Sequence, residues 1–138
     1  MIYHGIDLVE VGRVREAVEQ WGERFTQRVF TPRELEDCGL ATRAPRFDSL
    51  AARWAAKEAT VKALGRGLSG LGAAEATVPL LHLHEIEVRR ADDGRPQLVL
   101  HGAAAEAAAA LGLDELSLSL THTREYAMAS VVGLAGLP

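Results

Sequence analysis

Apolar residues change their spacing along the chain, and each change marks an element. Residues 2–9, Ile-Tyr-His-Gly-Ile-Asp-Leu-Val, form a short apolar run that predicts a strand. Alternation puts Ile2, His4, Ile6 and Leu8 on one face and Tyr3, Gly5, Asp7 and Val9 on the other. From about Gly12 to Trp21 the period becomes helical, with Val14, Ala17, Val18 and Trp21 sharing a face and Arg13, Arg15, Glu16 and Glu19 outside it. Gly22 interrupts, and residues 25–30 continue as helix or extended chain. Thr31-Pro-Arg-Glu34 is a helix start, with Thr as cap, Pro at the first position and Glu three residues after the cap. That helix ends by Gly39, and residues 40–46, with Pro45 and two Arg, predict a loop. The longest helical pattern follows, Leu50 to Gly65, starting as early as Arg46 and closed by Gly65. Four glycines in residues 65–72 predict a flexible segment, and residues 73–81 suggest no element. Residues 84–90 alternate with Ile86 and Val88 inward, Asp92-Asp93-Gly94 turns, and Pro96–Leu100 returns as a hairpin. An alanine helix spans 102–112. Residues 116–122 and 127–133 then form a second pair of strands around a turn at Thr123-Arg-Glu-Tyr126. The pattern predicts an α+β fold, a mostly antiparallel sheet packed by helices, in one domain over residues 1–138.

Two carboxylates break this pattern. Asp7 interrupts a buried-looking strand, and Asp is a poor strand former, so it is either a cap for the next element or a ligand. In the long helix, Leu50, Trp54, Val61 and Leu64 recur at the spacing of one buried face, and Glu58 lies on that stripe. A carboxylate there must be paired, protonated or bound to a metal, because burying it bare costs too much. Lys62 follows at i+4, and a Glu58–Lys62 surface pair is the plain alternative. The chain has thirteen Arg and only two Lys, and both of these, Lys57 and Lys62, lie in this helix. A compact ammonium kept twice within six positions points to a local need. Helical geometry turns Lys57 away from Lys62, which leaves it as a structural or partner contact.

Composition narrows the class. A chain that is 48% hydrophobic and 25% charged is expected to be soluble and globular. No apolar run approaches membrane-spanning length, and no signal-peptide pattern opens the sequence. The lone Cys38 excludes an internal disulfide framework and a cysteine zinc site, so a cytoplasmic location is expected. A net charge of −4 argues against general nucleic-acid binding. The charge is unevenly spread. Residues 1–66 hold eleven basic groups and ten acids (+1), whereas residues 67–138 hold four and nine (−5). The Arg cluster at 13, 15, 24, 28 and 33 therefore suits an acidic partner or a phosphate-bearing ligand, with solvated helix faces as the alternative.

Asp7, Glu58, Lys62, the arginines and His122 at a strand end are the candidate chemistry. Two carboxylates from separate segments and a Lys suit a Mg²⁺–phosphate site, because Mg²⁺ takes one or two carboxylates, several waters and the substrate's own phosphate oxygens. A neighbouring Lys neutralises the remaining phosphate charge. The glycine-rich segment lacks the spacing and the Lys of a P-loop.

Gly5-Ile-Asp-Leu-Val-Glu10 followed by Arg13, the run Phe25–Glu34, Ala52-Arg-Trp-Ala-Ala-Lys-Glu-Ala59 with Lys62–Gly65, Gly94-Arg-Pro96 and Ser119-Leu-Thr-His122 resemble the holo-[acyl-carrier-protein] synthases. These are the short bacterial 4′-phosphopantetheinyl transferases, and the resemblance runs through nearly the whole chain in order. It implies Mg²⁺-dependent transfer of 4′-phosphopantetheine from coenzyme A to a serine of apo acyl carrier protein in fatty acid biosynthesis, releasing adenosine 3′,5′-bisphosphate. It further implies Asp7 and Glu58 as metal ligands, Glu58 and Lys62 as catalytic, and Lys62, Arg53 and Gly65 near the pyrophosphate and nucleotide. Pro96, Thr121 and His122 would border the adenosine 3′-phosphate. Arg13, Arg24, Phe25 and Arg28 would dock the acidic helix of the carrier. The family is trimeric, with active sites at subunit boundaries. The sequence does not decide the serine base; a metal-bound water or Glu58 comes first, with Glu36 or His122 second. Two other readings stand beside this one: a transferase serving polyketide or peptide-synthetase carriers, and a non-catalytic module binding a nucleotide or an acidic helix.

Overall fold

The structure, a computed structural model, describes residues 1–67 and 83–136. The expectations for residues 68–81 lie outside the described residues. Strand β1 (Ile2–Glu10) runs directly into helix α1 (Val11–Trp21), followed by α2 (Glu23–Val29), α3 (Pro32–Asp37) and the long α4 (Phe47–Gly67). A 3₁₀ turn at Leu83–Glu85 leads into β2 (Ile86–Arg90) and β3 (Pro96–Leu100), then α5 (Gly102–Ala110), β4 (Leu113–His122) and β5 (Tyr126–Ala135). The strands form a three-stranded antiparallel sheet of order β1-β5-β4 and a separate β2-β3 hairpin. The α+β architecture with antiparallel sheets is therefore as the periodicity predicts.

Helix α4 lies across the inner face of the larger sheet, against β1 and β5. Its deep face is made of alanine: Ala51, Ala52, Ala55, Ala56, Ala59 and Ala63 are all buried. Of the expected stripe only Leu50 and Leu64 are buried, whereas Trp54, Glu58 and Val61 are half-buried at the helix margin. Small side chains let the strand come close. A Cβ on Gly5 would sit 1.8 Å from the carbonyl oxygen of Ala59. Only glycine fits there, and this contact sets Asp7, two residues along the same strand face, against the flank of α4. The helix also continues through Gly65 to Gly67 rather than stopping at Gly65, since buried Ala63 and Leu64 hold its last turns in place. Residues 23–29 are helical, and strand β2 begins at Ile86 because His84 and Glu85 belong to the 3₁₀ turn.

A second core cluster joins Val11, Val14, Val29, Phe30, Leu50, Leu83 and Ile86 beneath α1–α3. Phe25 stacks on Trp54 at 4.9 Å, and Phe30 meets both rings edge-on. Trp21 does not join this core. It is 52% exposed, because Gly22 at φ +53° swings the chain away into α2. Thr31 and Glu34 form the expected capping box. Glu34 continues inward to a fully buried ion pair with Lys57, 2.8 Å away. Lys57 is thus a core residue.

The outer face of the large sheet is apolar and open. Ile2, Ile6 and Leu8 of β1 and Met128, Val132 and Leu134 of β5 are all exposed there, Leu8 at 61%. Strand β4 adds Ser117, Ser119 and Thr121 on the exposed side, with Leu116, Leu118 and Leu120 turned inward.

Gly5→Ala is expected to cost about 3 kcal/mol or more of stability through overpacking. Gly12→Ala, within α1 with no atom near its would-be Cβ, should gain about 0.5–1 kcal/mol. Urea unfolding of the two variants side by side checks both signs.

Candidate functional site

Asp7 and Glu58 line one cavity of about 420 Å³ together with Glu10, Arg13, Trp54 and Tyr126. Asp7 arrives on β1 and Glu58 on α4, and the Gly5–Ala59 contact fixes their approach. Lys62 Nζ bonds Asp7 Oδ1 at 3.0 Å and the carbonyl of Ile6 at 3.0 Å. Trp54 Nε1–H donates to Glu58 Oε1 at 3.1 Å. Burial pushes the Glu58 carboxyl above its ordinary value of 4.5; the Trp54 bond opposes this, the Asp7 charge adds to it, and Lys62 opposes it. Two carboxylates thus meet at a half-buried spot where the second is reluctant to ionise. A divalent cation is the natural way to relieve that conflict. Among the described residues there is no group of three or more His, Cys, Asp or Glu able to hold a metal by itself. That donor set fits Mg²⁺, which takes few protein ligands and completes its shell with waters and substrate phosphate.

A second cavity, also about 420 Å³, shares no lining residue with the first. Ser49 and Arg53 of α4, Arg89, Arg90, Arg95 and Pro96 of the hairpin, and Ser119 and His122 of β4 surround it. Arg53 is 5% exposed, its Nη1 reaches the Ser49 carbonyl at only 3.4 Å, and its Nε has no hydrogen-bond partner among the described residues. Its Nη2 lies 3.9 Å from Asp37 Oδ2, a long ion pair that leaves the guanidinium incompletely satisfied beside a cavity suited to an anion. Arg89 pairs with Glu87 at 2.8 Å and Arg95 with Asp93 at 2.7 Å, whereas Arg90 makes no ion pair among the described residues. His122 Nδ1 lies 3.5 Å from Asp48 Oδ2.

A third, shallower groove of about 290 Å³ is lined by Trp21, Arg24, Phe25 and Arg28. The sequence-predicted residues therefore fall into three places. Asp7 and Glu58 line the first cavity, with Lys62 bonded to Asp7 and Gly65 one turn further along α4; Arg53, Pro96 and His122 meet at the second, with Thr121 exposed beside His122; Arg24, Phe25 and Arg28 share the groove. Arg13 faces the carboxylate cavity, away from the three residues grouped with it. Glu36 is exposed on α3 and lines none of the three. Sequence reasoning missed Glu10, Tyr126 and Trp21 as site-lining residues. It also missed the hairpin arginines, although a signal existed: three of the four basic residues after Gly67 are Arg89, Arg90 and Arg95.

A family model described as the 4′-phosphopantetheinyl transferase superfamily matches residues 4–131. The chain belongs to that superfamily. It is 59% identical over 137 residues to the holo-[acyl-carrier-protein] synthase of Chloroflexus aurantiacus, covering 99% of this chain and all of that one. It is 42% identical to the synthase of Dehalococcoides mccartyi over 96% of this chain and 98% of the other. Among solved structures it is similar to the "Chronobacterium ammoniagenes ACPS-CoA complex", with a TM-score of 0.79, 32% identity and 99% of each chain covered. The Helicobacter pylori synthase in complex with coenzyme A matches with a TM-score of 0.72 and 28% identity, over 97% of this chain and all of that one.

The raised Glu58 carboxyl gives this superfamily member a pH signature. The folded state holds the Glu58 proton to higher pH than the unfolded chain does. Stability is therefore lost as pH rises from 4.5 through the raised value. Metal-free Glu58→Gln should consequently be more stable than the parent at pH 7, with the advantage vanishing near pH 4, as thermal unfolding across that range would register.

Proposed function

We propose that this chain transfers 4′-phosphopantetheine from coenzyme A to a serine of apo acyl carrier protein, releasing adenosine 3′,5′-bisphosphate. The observation that carries the proposal is the pairing of Asp7 and Glu58 at one cavity, with Lys62 bonded to Asp7, in a chain whose relatives are holo-[acyl-carrier-protein] synthases. The carrier serine forms a bond to the β-phosphorus while the bond to the leaving nucleotide breaks. Such transfers depend on positioning and on neutralising charge more than on covalent chemistry. Asp7 and Glu58 would hold Mg²⁺, which when bound supplies Lewis-acid stabilisation of the phosphate oxygens. Lys62 adds a second positive charge at the same oxygens. Arg53 and the hairpin arginines grip the phosphorylated nucleotide, with Pro96, Thr121 and His122 at its border.

One chain carries the metal half and the nucleotide half on separate cavities, so the complete site forms between copies. The open apolar face of β1 and β5 supports this assembly, because such a surface is left exposed to water only at a cost. We therefore take the working form to be a trimer with sites at subunit boundaries. The Trp21–Arg28 groove, an aromatic pair flanked by Arg24 and Arg28, suits the acidic helix of the carrier. Among the described residues no helix is long and apolar enough to cross a membrane, and the lone Cys38 is buried. A cytoplasmic enzyme of one domain over residues 1–138, acting in fatty acid biosynthesis, accords with both.

The direct test is intact mass of an apo carrier incubated with coenzyme A, Mg²⁺ and the protein. A gain of one phosphopantetheine is expected; no gain would refute the proposal. Asp7→Ala should lower the rate about 10²–10³-fold or more while the protein stays folded. Arg24→Glu should raise the carrier KM several-fold and leave coenzyme A binding intact, and high salt should mimic it. Val132→Arg, on the open face and outside all three cavities, should give monomers without turnover in light scattering and the mass assay.

A further inference from the structure

Lys57 and Glu34 are both completely buried, yet neither lines any of the three cavities. The Lys57 ammonium has three acceptors: Glu34 Oε1 at 2.8 Å, the Leu83 carbonyl at 3.1 Å and the Ile86 carbonyl at 2.5 Å. Glu34 Oε1 also accepts the Thr31 N–H at 2.9 Å, and its Oε2 accepts the Val88 N–H at 2.9 Å. The Ile86 C=O and Val88 N–H flank Glu87 on one edge of β2, whose other edge pairs with β3. The ion pair therefore stands where a third strand would hydrogen-bond. It is what fastens the hairpin to α4 and α3.

The fastening reaches the arginine-lined cavity by two routes. Along the backbone, Val88 is held directly by Glu34, and Val88, Arg89 and Arg90 line that cavity. Through side chains, the Thr31 hydroxyl donates to Glu87 Oε2 at 2.7 Å, while Glu87 Oε1 accepts Arg89 Nε–H at 2.8 Å and contacts His101 Nε2 at 3.2 Å. Stability alone does not account for such a pair. Well-packed apolar replacements of buried ion pairs are often neutral or stabilising. What an apolar pair cannot do is satisfy the Ile86 C=O and the Val88 N–H and so define where β2 lies. We propose that Lys57 and Glu34 are positioning residues for the nucleotide: by supplying the missing edge of β2 they hold Arg89, Arg90 and Pro96 at the spacing a phosphorylated nucleoside requires. The inference rests on the reading that this cavity takes the nucleotide of coenzyme A.

The test is titration calorimetry of adenosine 3′,5′-bisphosphate into the full chain and two double variants, with KM values measured for both substrates. Single variants would leave a bare buried charge and are expected to unfold. Glu34→Leu/Lys57→Met removes both charges, and Glu34→Gln/Lys57→Met keeps an acceptor for the Val88 N–H as a milder second variant. The first is expected to bind the nucleotide about tenfold or more weakly, with a matching rise in coenzyme A KM and an unchanged carrier KM. The Gln variant should regain part of that affinity, and its affinity relative to the parent decides the matter if the apolar variant does not fold. A folded variant that binds the nucleotide as the parent does would overturn the positioning role. A parent that fails to bind the nucleotide would instead overturn the reading of the cavity.

Discussion

The site depends on how closely β1 approaches α4. With 1.8 Å between a would-be Gly5 Cβ and the Ala59 carbonyl, strand and helix are in backbone contact, and no other residue permits this. Alanine at 55, 56, 59 and 63 extends the contact along the helix. Because Asp7 follows Gly5 by two and Glu58 precedes Ala59 by one, the contact also sets the carboxylate pair. A bulkier seam would move the strand outward and separate the two carboxylates. Packing and chemistry are here one constraint.

The two lysines of α4 divide along the same helix. Lys57 is sealed in the core, its pKa lowered by burial against the opposing pull of Glu34 beside it, and it donates to Glu34 and to the carbonyls of Leu83 and Ile86. Lys62, five residues on, is half exposed and bonds Asp7 at the cavity rim. One ammonium fixes the scaffold and the other remains available to a phosphate. The same division separates the arginines. Arg46 is engaged by the carbonyl of Asp37, and Arg15 lies over the Phe47 ring, while Arg53, 3.9 Å from Asp37, lines a cavity and keeps a buried Nε–H without a partner among the described residues.

Much of the fold is legible in the sequence where one period dominates. The alternation of β4, the Thr31–Glu34 cap and the Asp92–Gly94 turn each announce their elements locally. The long helix misleads in one respect: a search for large apolar residues finds Trp54 and Val61 at its margin, whereas its deep face consists of alanines that carry little periodic signal. Gly65 reads as a stop because local propensity does not register the packing of Leu64. Asp7 and Glu58 are legible as anomalies, a charge where an apolar residue is expected, and Lys62 as one of only two lysines, four residues after Glu58. The Glu34–Lys57 pair is not legible: Lys57 stands out only as a rare lysine, Glu34 already reads as the capping-box residue, and 23 residues separate them. Nor does the sequence reveal that Arg53 and Glu58, neighbours on one helix, open onto different cavities.

On the proposed reading, the separation of the two cavities means that each copy contributes a metal half to one site and a nucleotide half to another. Mixing two inactive variants, Glu58→Gln and Arg53→Ala, after co-refolding puts this to the test. If the halves meet between copies, mixed assemblies contain some sites with both halves intact, and a measurable fraction of the parental transfer rate returns. If each chain builds its site alone, every site in the mixture remains defective, and the absence of recovered activity in verified mixed oligomers would refute the shared site.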